Sequence, residues 1–208
     1  MTRTPLVLIA AAATILALSA CANDSDVTAA GASTAAGTSA TERPTRTPTE
    51  DTGHNAADVM FAQMMLPHHE QAITMSELVL DKDGIPDEVA RLAEQIMSTQ
   101  ETEARQLTDW LDQWGERGLH ESGLHESGMS EMEGVLTDAE VQRLSEAEGA
   151  DAARLFMEQM IAHHEGAVTM AEGQVLNGSY PPAINMADAV IDAQRHEIMT
   201  MHDLLDNE

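Results

Sequence analysis

Phe61-Ala-Gln-Met64-Met65-Leu66-Pro67-His68-His69-Glu70-Gln71-Ala72-Ile73-Thr74-Met75 is answered later in the chain by Phe156-Met157-Glu158-Gln159-Met160-Ile161-Ala162-His163-His164-Glu165-Gly166-Ala167-Val168-Thr169-Met170. Phe, Met, the His-His-Glu triplet, Ala and the closing Met recur at a constant offset of 95 residues. Neutral imidazole ligates copper, zinc, iron and nickel, whereas thioether sulfur narrows the choice toward Cu(I). The candidate ligands are therefore His68, His69, His163 and His164, with Met65, Met75, Met160 and Met170 as flanking sulfur donors. Met64 is a further sulfur, and His196, Met199, Met201 and His202 form a second cluster near the C-terminus. Copper is the ion that this donor set favours.

The same residues have a plainer reading. Methionine at core spacing commonly serves as a pliable filler. Only five aromatic residues are present (Phe61, Trp110, Trp114, Phe156 and Tyr180), so a core here must draw on Met. A buried histidine can also be satisfied by a carboxylate or amide from a facing helix, and Gln100, Glu103, Gln194 and Glu197 suit that role. What tips the balance toward metal is the duplication of a His-His pair together with its flanking Met.

These side chains must be positioned by helices. Phe61, Met65, His68, Ala72 and Met75 fall at spacings of four and three, a stripe on one helical face. Adjacent residues on a helix are about 100° apart, so the two imidazoles of one pair do not easily chelate a single ion in an unbroken helix. His68 and His163 are expected to face inward and meet across a pseudo-two-fold axis, with His69 and His164 at the shoulder of the bundle. Gly84 and Pro86 punctuate the chain before a second helix through Val89, Leu92, Ile96, Gln100, Glu103, Leu107 and Leu111, which stops near Gly115. The second repeat follows the same plan, with a turn at Asn177-Gly-Ser-Tyr-Pro-Pro182 and a last helix carrying Val190, Gln194, Glu197, Met201 and Leu204. Two helical hairpins that bury little alone can bury one another, so the fold class is all-α, a four-helix bundle made of two repeated hairpins.

The repeats occupy residues 55–115 and 151–208. Between them, residues 116–150 open with a tandem Gly-Leu-His-Glu-Ser and then reach Thr137-Asp-Ala-Glu140, a capping box that starts a short helix. His120, His125, Met129 and Met132 lie in the Gly-rich part, where a solvated sequence duplication accounts for them.

The remaining segments concern location. Arg3, an apolar run over residues 6–17 and Leu18-Ser19-Ala20-Cys21 read as an export signal over residues 1–20, too short to span a bilayer comfortably. Small residues before the single cysteine resemble the lipobox of bacterial lipoproteins. That resemblance implies cleavage before Cys21, acylation of its thiol, and anchoring on the outer face of the cell membrane. Residues 21–54 are rich in Thr, Ala, Ser and Gly without apolar periodicity, the composition of a tether. As a coil it would reach roughly 30 Å. With 36 Asp and Glu against 10 Lys and Arg, the formal charge of −26 repels phosphate backbones and excludes nucleic acid as a partner. It draws cations, without selectivity.

The His-His-Glu-x-Ala pattern, the paired Met and the Gln-x-x-Glu of each second helix resemble the DUF305 family. The resemblance covers residues 58–115 and 151–205. It implies a ferritin-like four-helix bundle in a secreted or envelope-attached bacterial protein, with copper binding associated with some members. It maps the paired histidines onto His68, His69, His163 and His164, and the Gln-x-x-Glu-x-x-x-Met element onto Gln100, Glu103 and Leu107 and onto Gln194, Glu197 and Met201. Leu107 departs from the Met of that element. Two other functions fit the residues less fully. A di-iron oxidoreductase would use Glu-x-x-His on two helices, and the sequence contains none; no nucleophile–base pair or phosphate-binding glycine loop points to another enzyme. A metal-free envelope module that binds a protein is the remaining alternative.

Overall fold

Residues 53–116 and 134–207 are described by a computed structural model. Five helices follow one another: α1 (Ala56–Leu80), α2 (Asp87–Trp114), α3 (Asp138–Glu146), α4 (Gly149–Asn177) and α5 (Pro181–Asp206). The export signal, Cys21 and the Gly-rich linker with His120, His125, Met129 and Met132 lie outside the described residues. Gly53 and His54, assigned to the tether from composition, are already engaged with the bundle. Ser179 Oγ donates to the Gly53 carbonyl, and His54 stacks on Trp114 with ring centroids 4.5 Å apart.

Local chemistry explains where each helix begins and ends. Asn55 caps α1 by accepting from the amides of Ala57 and Asp58, while Asp58 returns the contact by accepting from the Asn55 amide. Pro67 sits inside α1, and the helix continues through it. Its ring forfeits one backbone hydrogen bond, a loss the packing on both sides of the helix outweighs. Gly115 terminates α2 in the left-handed conformation at φ +70°, where a Cβ would be strained. Thr137 and Glu140 form the capping box of α3.

α1 packs on α2, α4 packs on α5, and α1 packs on α4. The fold is all-α, a four-helix bundle with one short additional helix. Its core divides into two apolar clusters. One gathers Met75, Val79, Leu92, Ile96, Phe156, Met157, Met160 and Met201. The other gathers Phe61, Met65, Leu107, Trp110, Ala167, Ala171, Ala187 and Val190. The N-terminal half of α1 thus shares a cluster with the C-terminal half of α4, and the reverse holds for the other halves. The two central helices therefore run antiparallel and cross at their midpoints, which is where the histidine pairs lie. Each fully buried Leu, Met or Phe contributes about 1.5–3 kcal/mol, so the two clusters dominate the stability of the bundle.

Candidate metal centre in the bundle core

The His-His pairs form a polar layer between the two apolar clusters. His68 and His163 meet where α1 crosses α4, their ring centroids 3.7 Å apart and their planes inclined by 42°. All four paired histidines are fully buried. For His69 and His164 this corrects the shoulder placement read from helical pitch. The pitch turns each one about 100° from its neighbour, but α2 and α5 cover that arc. There His69 Nε2 lies 2.8 Å from a Glu103 carboxylate oxygen and His164 Nε2 lies 2.7 Å from the corresponding oxygen of Glu197. Gln100 and Gln194, one turn before those carboxylates, are also buried. Glu70 and Glu165 point into solvent.

At His163 the electrostatics favour the neutral imidazole. Burial pushes the His163 imidazole well below its usual range, and the neighbouring His68, His164 and His69 add to the shift, with the His68 backbone opposing weakly. Several polar atoms of the layer have no hydrogen-bond partner among the described residues: Nδ1 of His69 and His164, the amide group of Gln100 and Oε1 of Gln194. Each such buried atom costs about 1–3 kcal/mol, a concentration that an apolar layer would avoid. The carboxylate–imidazole pairs are the arrangement that fixes the tautomer of a ligating histidine, since a Nε2–H donated to Glu leaves Nδ1 as a lone-pair donor.

The donor set has a definite chemical character. Among the described residues, no three His, Cys, Asp or Glu side chains converge in a way that could hold a metal ion. A four-coordinate Zn(II) site of the usual kind is therefore not assembled. Two apposed imidazoles with sulfur nearby suit Cu(I), which accepts few ligands and prefers soft ones.

The methionines are sorted more finely than the sequence pattern implied. Met65 and Met160 are fully buried, each one turn before a layer histidine, and they fall in opposite clusters. Met75 is buried in the first cluster, but at seven residues from His68 it lies about 10 Å along the helix axis. Met170, its counterpart, is only half-buried and lines a surface groove with Met64. The C-terminal set is divided as well. Met201 is in the core, whereas His196, Met199 and His202 are exposed. Leu107 occupies the second cluster as an ordinary core residue.

Three positioning groups escaped the sequence pattern. Asp58 is fully buried and accepts hydrogen bonds from Gln174 Nε2 and from the amides of Ser179 and Tyr180, clamping the start of α1 to the α4–α5 turn. Its role as a cap was visible in Asn55-x-x-Asp58; its long-range partners were not. Gln71 grips the segment before α3 by donating to the Leu136 carbonyl at 3.0 Å and accepting from its amide at 2.8 Å. Gly134 lets that segment lie against α4, where a Cβ would stand 2.7 Å from the Ala162 carbonyl and 2.9 Å from that of His163.

Comparison with known proteins agrees with this architecture. The family model for DUF305, a domain of unknown function, matches residues 58–205. The chain is similar to a DUF305 protein from Streptomyces coelicolor described as secreted, with 34% identity, a TM-score of 0.66 and coverage of 73% of this chain and 91% of that one. It is also similar to a DUF305 fragment from Deinococcus radiodurans, with 32% identity, a TM-score of 0.66 and coverage of 74% and 98%. A third similar structure is CopM in its Cu(I)-bound form, with 31% identity, a TM-score of 0.58 and coverage of 72% and 96%. CopM has also been solved in Cu(II)-bound, Ag-bound and apo forms. No curated protein matches the chain.

Proposed function

The chain belongs to the DUF305 family, and on that premise we propose that it is an exported protein that handles copper, holding Cu(I) in the polar layer at the centre of its bundle. His68 and His163 are the principal ligands, His69 and His164 are held as donors by Glu103 and Glu197, and Met65 and Met160 supply the nearest sulfur. Met75, farther along its helix, is an outlying contributor. The observation that carries this reading is the contact of two buried imidazoles, 3.7 Å apart, between two dry clusters. Support comes from CopM, a protein of similar sequence and fold that has been solved with Cu(I). A bound ion would give Nδ1 of His69 and His164 a partner and supply soft, reversible coordination. The chain itself supplies the burial that keeps water and competing hard cations out. In this reading the protein is a binder and not an enzyme.

Location belongs to the same proposal. Among the described residues no helix is long and apolar enough to cross a membrane. Acylation at Cys21, which the resemblance to a lipobox implies, is the proposed means of attachment, with the domain held outside the cell membrane by the tether that follows.

The test is Cu(I) titration of the protein against a competing chromogenic chelator. Replacing His68 and His163 together by Ala is expected to weaken binding at the layer by a factor of about 100 or more, since loss of two ligands exceeds 2.8 kcal/mol. Replacing Met65 and Met160 by Leu is expected to weaken it by about tenfold while leaving the helices intact. Undiminished Cu(I) affinity in the double His variant would end the assignment.

A further inference from the structure

The bundle repeats itself, but its two outer grooves are treated differently. On one side, the groove between the C-terminal half of α1 and the N-terminal half of α4 is covered by α3 and the strap before it. Leu144 is fully buried there, and Val141, Leu78 and Leu155 pack against the same apolar cluster. Three polar grips hold this cover: Gln71 on Leu136, Gln159 Nε2 on the Glu140 carbonyl, and Lys82 Nζ on the Ser145 carbonyl.

The offset of 95 residues maps that groove onto its counterpart between the N-terminal half of α1 and the C-terminal half of α4. Among the described residues the counterpart is open, with a volume of about 220 Å³. Each grip is missing at the matching position: Gly166 stands for Gln71, Met64 for Gln159, and Asn177 for Lys82. The groove is therefore not a second copy of a helix-docking surface. What lines it is sulfur. Met60 matches Leu155, Met64 matches Gln159, and Met170 matches Met75, and all three line the open groove.

We propose that Met60, Met64 and Met170 form a second, solvent-facing site for a soft monovalent cation, Cu(I) or Ag(I). Met60 and Met64 are one turn apart and share a helix face, and Met170 reaches the same hollow from α4. The gap-filling role of methionine belongs to buried positions, whereas Met60 is 60% exposed. No His, Cys, Asp or Glu lines the groove. Among the described residues its soft donors are three neutral thioethers, which bind Cu(I) and Ag(I) but gain little from Zn(II) or Ca(II). The other polar side chains of the lining are the neutral amides of Gln174 and Asn177, whose NH2 groups donate to Asp58 and to the Gly173 carbonyl. Such a site selects by softness and holds its ion where solvent or a partner can reach it. The strongly acidic chain around it raises the local concentration of any cation. This proposal stands on residues separate from the buried histidine layer.

The experiment is an Ag(I) titration of the full chain carrying ¹³C-methyl methionine, with bound silver counted after dialysis. Ag(I) is expected to shift the methyl signals of Met60, Met64 and Met170, and Zn(II) is expected to leave them in place. The triple variant Met60→Leu, Met64→Leu, Met170→Leu is expected to lose one bound Ag(I) per chain, with affinity at that site falling at least about tenfold. The pair His68→Ala, His163→Ala is expected to retain the groove shifts, which separates this site from the buried one. Unmoved groove methyls in the parent protein would overturn the proposal without recourse to any variant. So would an unchanged silver count and affinity in the triple variant, or loss of the groove shifts in the His variant.

Discussion

At the scale of single residues, burial decides which polar groups matter. Asp58 is a carboxylate with no exposed surface. Burial alone would raise its pKa, but hydrogen bonds from the Asn55 backbone, the Gln174 side chain and the Ser179 and Tyr180 backbones outweigh it and hold the pKa below the usual 3.8. The folded state therefore binds the proton less readily than the unfolded chain. The resulting stabilisation is full above that ordinary value and drains away as pH falls from there through the folded value. Asp58→Asn is expected to cost about 2–3 kcal/mol at neutral pH. It should also flatten the acid limb of a plot of melting temperature against pH below about 4. A variant that melts as the parent does at pH 7 would show that the clamp contributes nothing. The repeat-related residue is Ala153, so this clamp exists at one end of the bundle only.

At the scale of elements, the strap before α3 shows how one substitution between repeats redirects the chain. Gln71 and Gly166 are related by the duplication, one holding Leu136 at both its backbone groups and the other clearing space beside Gly134. Gly134 has φ +84°, and a methyl group there would enter the Ala162 and His163 carbonyls of α4. Gly134→Ala is therefore expected to destabilise the protein by about 2 kcal/mol or more. Hydrogen exchange at the Leu136 amide should accelerate in step. Gln71→Ala should accelerate exchange at the same amide with a smaller loss of stability, about 1–2 kcal/mol. An amide equally protected in both variants would show that the strap is held by Leu136 burial alone.

At the scale of the whole molecule, the two hairpins complete one bundle, and in the proposed reading the N-terminal segment sets where it works. Each apolar cluster draws helices from both hairpins, so neither hairpin buries its inner face without the other. The surface is strongly acidic, which draws cations and opposes binding to anionic lipid through charge. Attachment in the proposed reading rests on Cys21 alone. Cys21→Ala is expected to move the protein from the membrane fraction to the soluble extracytoplasmic fraction, or to leave the precursor uncleaved. Fractionation with membranes as before, together with normal processing, would overturn the anchor.

Sequence by itself determined the helices, their approximate ends and the relation between the repeats. Apolar periodicity, Gly115, the Gly84–Pro86 break and the Thr137–Glu140 box are local signals, and they act through neighbouring backbone. The duplicated stripe also indicated that His68 and His163 face inward. Only the tertiary structure decided what surrounds them. Helical pitch fixes an angle about one axis, but not how wide an arc the neighbouring helices cover, and so His69 and His164 proved buried against Glu103 and Glu197. The same limit separated Met65, Met75, Met160 and Met170, which form one pattern in sequence but two clusters and a surface groove in space. Asp58 meets Ser179 across 121 residues, and α3 covers one of two grooves that the repeat makes alike. Contacts of that range leave no period in the sequence, because each depends on where the chain returns.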